Sequence, residues 1–178
     1  MHTTRRITSL RRSTFAGGLA MAAALVLSST TPVTAGNEDS QCFAVRGEFD
    51  ENAVDAGCTS PAGICFEGRY FGSIRGPFAG QVVTLVPTVD PATSNVLLFN
   101  SESEIQAQVR GRTGTLIVRN SGAFEVSGEG HIVDLQSIIG GTGELAGASG
   151  TLRASGLFAP ETSSGSSRYR GTLCLPRP

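Results

Sequence analysis

Few residues in this 178-residue chain have the type and spacing that chemistry needs. His131 is the only histidine besides His2, which falls in an N-terminal leader. Asp134 follows it by three positions, so on a strand the two side chains point to opposite faces. No nucleophile motif accompanies them, which argues against a Ser-His-Asp triad. The four cysteines, Cys42, Cys58, Cys65 and Cys174, lack the short C-x(2–4)-C spacing of a zinc site. Asp50, Glu51 and Asp55 lack the ordered oxygen spacing of a calcium loop. No metal and no cofactor is therefore expected. Gly141-x-Gly143-x-x-Ala146 satisfies the dinucleotide fingerprint G-x-G-x-x-G/A, but that fingerprint opens a helix. Here Gly147 and Gly150 interrupt any helix, and an alternating strand follows. The glycines read instead as tight turns between strands.

Residues 1–35 read as an export signal. Arg5, Arg6, Arg11 and Arg12 precede an apolar run from Phe15 to Leu27, and Val33-Thr34-Ala35 supplies the small residues of a cleavage site. That run is too short for a comfortable membrane span, and no later segment is long enough, so no span is expected after removal. The remaining 143 residues hold ten arginines, no lysine and fifteen acidic residues, a formal charge of −5. Such a balance argues against nucleic acid, anionic membranes and phosphates as partners. The expected location is outside the cytoplasm: secreted, periplasmic or at the cell surface. An even number of cysteines there reads as two disulfides.

Elements that could position a site follow from composition and period. Glycine supplies 23 residues and charged residues only 16% of the chain, which argues against a helical bundle. From Ile64 onward the period is two. Ile105, Ala107 and Val109 alternate with Glu104, Gln106, Gln108 and Arg110, for example. The pattern predicts strands over 64–73, 78–87, 95–110, 113–119, 122–129, 131–139, 150–158 and 168–175. Eight such strands with turn signals between them predict an all-β, eight-stranded antiparallel barrel over 63–178. Residues 36–62, acidic and broken by Ser60-Pro61, read as an irregular N-terminal extension with a short strand at Phe43 to Glu48.

Three disulfide connectivities are open to four cysteines. The flanks favour one: Ile64-Cys65-Phe66 opens the first predicted strand and Leu173-Cys174-Leu175 closes the last. Closure of the sheet would then join Cys65 to Cys174, worth about 4 kcal/mol by chain entropy. Cys42 to Cys58 would pin the extension. In that register Glu67, Arg69, Thr172 and Arg170 share one face, with Ile64, Phe66, Tyr70, Tyr169, Leu173 and Leu175 on the other. A polar cluster within the barrel is one reading of the first face. Burial preferences favour a solvated outer face carrying exposed ion pairs. An apolar pocket would then be lined by Phe66, Tyr70, Phe78, Leu116, Phe124 and Phe158.

The segment Gly-Gly-Thr-Gly-x-Leu-x-Gly-Ala-x-Gly-x-Leu, with Gly140, Gly141, Gly143, Gly147 and Gly150, resembles the signature of the allene oxide cyclase and dirigent-like barrel families. Gly114-Thr115-Leu116-Ile117-Val118 and Gly122 fall where those families carry a preceding hairpin. The resemblance covers residues 113–156. It implies an eight-stranded barrel, commonly a homo-oligomer, around a cavity for a small hydrophobic ligand. It also implies an isomerase-like or dirigent-type role: cyclisation, isomerisation or stereoselective coupling steered by confinement. By the same resemblance Glu67 is the candidate catalytic residue, while the asparagine that the cyclases carry two positions later is Arg69 here. The alternative is a non-catalytic secreted barrel, used for surface attachment or assembly through its outer face.

Overall fold

A computed structural model describes residues 40–177 except 91 and 93. The predicted signal peptide and residues 36–39 lie outside the described residues. Eight strands form a closed antiparallel barrel in chain order. They are β1 (Ser40–Val54), β2 (Cys65–Gly72), β3 (Gly76–Pro87), β4 (Val96–Val109), β5 (Arg112–Glu125), β6 (His131–Gly141), β7 (Ser149–Ala159) and β8 (Ser164–Pro176). Every strand pairs with its neighbours in sequence, and β1 pairs with β8 to close the seam. Closure leaves no unpaired sheet edge.

The predicted architecture holds, with two strands redrawn. Most of the supposed N-terminal extension is β1, fifteen residues long, with Val45 and Phe49 buried on its inner face. The predicted strands 113–119 and 122–129 are one strand, β5. Ser121-Gly122 reads as a turn, yet Gly122 lies mid-strand opposite Phe99. The true reversal before β5 is Arg110-Gly111, a two-residue loop in which both residues have positive φ, 51° and 82°. That is the geometry of a hairpin whose twist matches its strands.

Both disulfides differ from the expected pairing. Cys42 bonds Cys174, and Cys58 bonds Cys65. The reason is β1, which stands between β2 and β8, so Cys65 never faces Cys174. Cys42 does, as its direct partner on β8. Glu67 accordingly faces Asn52 and Ala79, not Thr172, and Arg170 faces Arg46 and Arg153. The assignment of faces survives this change of register: Tyr70, Tyr169, Leu173 and Leu175 are buried, while Glu67, Arg69, Arg170 and Thr172 are exposed.

Interior glycines explain how large rings fit inside a small barrel. Gly47 faces Tyr169, Gly68 faces Phe78, Gly80 faces Phe66, Gly122 faces Phe99 and Gly165 faces Phe158. In each pair the ring folds across the glycine, where a Cβ would stand 2.6–2.9 Å from a ring carbon. At Gly47 a Cβ would also strike the Phe71 carbonyl oxygen. The neighbouring Tyr169 hydroxyl accepts the Ile74 N–H at 2.9 Å and donates to the Phe71 carbonyl at 3.1 Å, so the ring has little freedom to retreat. Gly47→Ala is expected to destabilise the barrel by about 2–3 kcal/mol, as overpacking of a tight core does. Urea denaturation checks this; an unchanged midpoint would refute the packing assignment.

One end of the barrel is solid. Ile74, Ile105, Leu116, Leu152 and Leu173 are fully buried there, and Leu145 joins them from a short 3-10 turn, Gly143–Leu145. The glycine motif builds this plug. Gly143 and Gly147 have positive φ, 59° and 77°, which the turn requires. A bulge that leaves Ile139 unpaired brings Gly140 and Gly141 opposite Ile117 and Leu116.

Candidate functional site

The other half of the barrel, towards the β1–β2, β3–β4, β5–β6 and β7–β8 connections, encloses a cavity of about 150 Å³. Cavities of about this size hold a single benzene ring. It is smaller than the ~300–1,000 Å³ of sites that enclose drug-sized ligands.

One wall is aromatic. Phe49 stacks on Tyr70 at 4.8 Å between centroids, and Phe78 meets both edge-on at 5.8 and 5.1 Å. Phe66 leans on Phe78 at 6.1 Å, and Phe124 and Phe158 form a further edge-on pair at 5.7 Å. A bulge at Val83 shifts the inward phase of β3, so that Val82 and Leu85 both face the cavity. Five of the six residues expected to line a pocket do so: Phe66, Tyr70, Phe78, Phe124 and Phe158. Leu116 does not; it is buried in the solid half. Glu67 is exposed on the outer face of β2, away from the cavity. The glycines 140–150 are likewise absent from its lining.

The polar residues of the site are Glu51 and Asp134, which the sequence offered only for a calcium loop and a triad, with Gln136 and Asn120, which belong to no motif. Glu51 on β1 and Asp134 on β6 both reach the cavity. Each has almost bare neighbours on the adjoining strands: Gly68 and Gly165 beside Glu51, Gly122 and Ala154 beside Asp134. The Phe78, Phe158 and Phe99 rings that fold across Gly68, Gly165 and Gly122 bring aromatic carbon up beside the carboxylates. Burial pushes the Glu51 carboxyl up to about 7, with repulsion from Asp134 adding to it. Burial likewise raises Asp134 to about 6, against the pull of a hydrogen bond from Gln136. Desolvation of this kind disfavours the charged form.

Gln136 orders the cluster. It is fully buried, accepts the Tyr70 hydroxyl at its Oε1 (3.0 Å) and donates from Nε2 to Asp134 Oδ2 (3.1 Å). Both amide atoms are thereby assigned by their partners. Burial raises the Tyr70 phenol well above its ordinary range, so it remains a donor. Asn120 completes the set: its Oδ1 is buried without a hydrogen-bond partner and belongs to a residue lining the cavity. A buried acceptor left unpaired costs about 1–3 kcal/mol.

The other chemistry-bearing residues do not gather. His131 points outward and meets Glu129 at 3.3 Å with both side chains exposed. Asp50 accepts the Arg69 backbone N–H on the outer face, while its neighbour Glu51 points inward, so the acidic run does not converge on a cation.

Neither a family model nor a curated relative matches the sequence. Two solved structures are similar to this chain. The pterocarpan synthase dirigent protein GePTS1 shares 13% identity over 79% of this chain and 88% of that one, with a TM-score of 0.34. The pterocarpan synthase dirigent protein PsPTS1 shares 11% over 78% of this chain and 97% of that one, with a TM-score of 0.31.

Proposed function

We propose that the barrel takes a small hydrophobic molecule, or one ring of a larger one, into its open half and guides its cyclisation, isomerisation or stereoselective coupling. The observation that carries this reading is the pair of buried carboxylates, Glu51 raised to about 7 and Asp134 to about 6, in an aromatic-walled cavity. Carboxyls tuned towards neutrality can give and take protons at physiological pH. At pH 7 Asp134 is mostly ionised and serves as the base, while Glu51 is about half protonated and serves as the acid. The rings hold the substrate in one conformer, and the dry walls exclude water from a reactive intermediate. Two disulfides support folding in an oxidising compartment, and hence export.

Binding of p-cresol and toluene, followed by NMR, tests the site. Both should saturate and shift the ring signals of Phe66, Tyr70 and Phe78. Asp134→Asn removes the charged acceptor for the cresol hydroxyl, which should weaken cresol about tenfold and leave toluene nearly unchanged. Failure of both probes to saturate would contradict the reading, as would equal losses for the two probes.

A further inference from the structure

The outer face of β1, β8 and β7 carries four arginines in a cluster that nothing described in the protein neutralises. Arg46, Arg170 and Arg153 are direct neighbours in register across the three strands, and Arg168 lies two residues from Arg170 on β8. All four are exposed. Among the described residues none has a carboxylate oxygen within 4.0 Å or a side-chain hydrogen bond. Glu48 faces Arg168 in register but forms no such pair. The ion pairs expected on this face are absent because Arg170 meets Arg46 and Arg153, while Glu67 lies on β2 opposite Asn52 and Ala79. Like charges placed directly opposite one another across strands are destabilising. The chain as a whole is acidic, so this face is a local reversal of its charge. Glu67, Glu102 and Glu104 lie instead on β2 and β4.

We propose that this arginine ladder is a docking surface for an acidic polysaccharide, a chain of uronate-type sugars crossing the strands. Three observations select that occupant. The first is spacing: adjacent strands lie about 4.8 Å apart. Successive guanidinium groups are therefore anchored at intervals close to the length of one sugar unit, suiting a carboxylate on each unit. The second is side-chain type. Every cation in the chain is an arginine, whose planar fork binds carboxylates in pairs of hydrogen bonds. The third is the surrounding surface. The four arginines line a shallow groove with Val133 and Leu135, both about half exposed, which suit the C–H faces of sugar rings. Phe71 is the one exposed aromatic ring in that groove, since Tyr169 is buried beneath it, too few to stack successive bases of a nucleic acid. This surface is on the outer face, so it stands whether or not the cavity proves catalytic.

The test is affinity electrophoresis and calorimetry of the purified protein, both disulfides formed, against polygalacturonate. Neutral dextran, duplex DNA and phosphatidylserine vesicles are the comparisons. At about 0.15 M salt polygalacturonate should bind and dextran should not. The triple variant Arg46→Gln, Arg153→Gln, Arg170→Gln should lose binding by about tenfold or more while its melting temperature stays level or rises. A second variant, Arg69→Gln, Arg119→Gln, Arg177→Gln, removes the same charge elsewhere and should retain binding. Equal losses in the two variants would overturn the proposal by showing a net-charge effect. DNA or vesicles binding as tightly as polygalacturonate would overturn the choice of partner. Salt-reversible self-association lost in the first variant would overturn it too, placing a second copy on the ladder.

Discussion

Raising the pH from about 4 to about 8 is expected to destabilise the barrel by several kcal/mol, with most of the loss below about pH 7. Glu51 and Asp134 have ordinary values of 4.5 and 3.8, raised in the fold to about 7 and about 6. Below about pH 3 both are largely protonated in folded and unfolded chains, and their burial costs little. As pH rises the unfolded chain ionises first, while the folded chain must hold the proton or bury a charge. Stability therefore falls through this window and levels off above the folded-state values. Each carboxyl contributes about 2–3 kcal/mol to the loss. Glu51→Gln should remove its share, raising the melting temperature at pH 8 by about 5–10 °C with little change at pH 4. Thermal melts of the protein and the variant at both pH values decide this. A flat profile, or a variant no more stable at pH 8, would mean that Glu51 is solvated.

The second large effect concerns the disulfides. Cys42–Cys174 closes a loop spanning 132 residues, and Cys58–Cys65 one spanning 7. By chain entropy the first stabilises the fold by about 5 kcal/mol and the second by about 2. The position of the first agrees with this ranking, because it ties the two strands of the barrel seam beside the solid end. The second only tightens the β1–β2 connection at the mouth. Replacing Cys42 and Cys174 together by serine should lower the melting temperature by about 10–20 °C, against less than half of that for Cys58 and Cys65. Equal shifts in the two double variants would contradict the seam assignment.

The parts of the fold that could be read in the sequence were those with one apolar phase. Ile105, Ala107 and Val109 alternate with polar residues, and all three are buried. The glycines of 140–150 announced a turn between strands, and they build the plug. β6 hid its orientation because Val133, Leu135 and Ile139 on its outer face are also apolar, each about half exposed. Asp134 and Gln136 were therefore unreadable as inward residues. β1 was obscured differently: acidic residues made it look like a solvated extension. Yet Val45, Phe49 and Glu51 share one phase, and a carboxylate in the apolar phase of a strand was the available signal. Misreading β1 also misled the cysteine pairing, since a strand inserted between β2 and β8 changes which cysteines meet. Gly122 shows a further ambiguity: a glycine facing an aromatic ring across a strand pair has the same letter as a glycine in a turn.

The proposed site is built on two carboxylates kept close to neutrality inside an aromatic cavity, and carboxyl-carbon NMR titration observes them directly. With Glu51→Gln and Asp134→Asn to assign the resonances, the expected midpoints are near 7 for Glu51 and near 6 for Asp134. Glu51 should also titrate lower in the Asp134→Asn variant, because a repelling neighbour is gone. Added p-cresol should move both midpoints. Two carboxyls titrating near 4, unmoved by the ligand, would place them in water and contradict the proposed site.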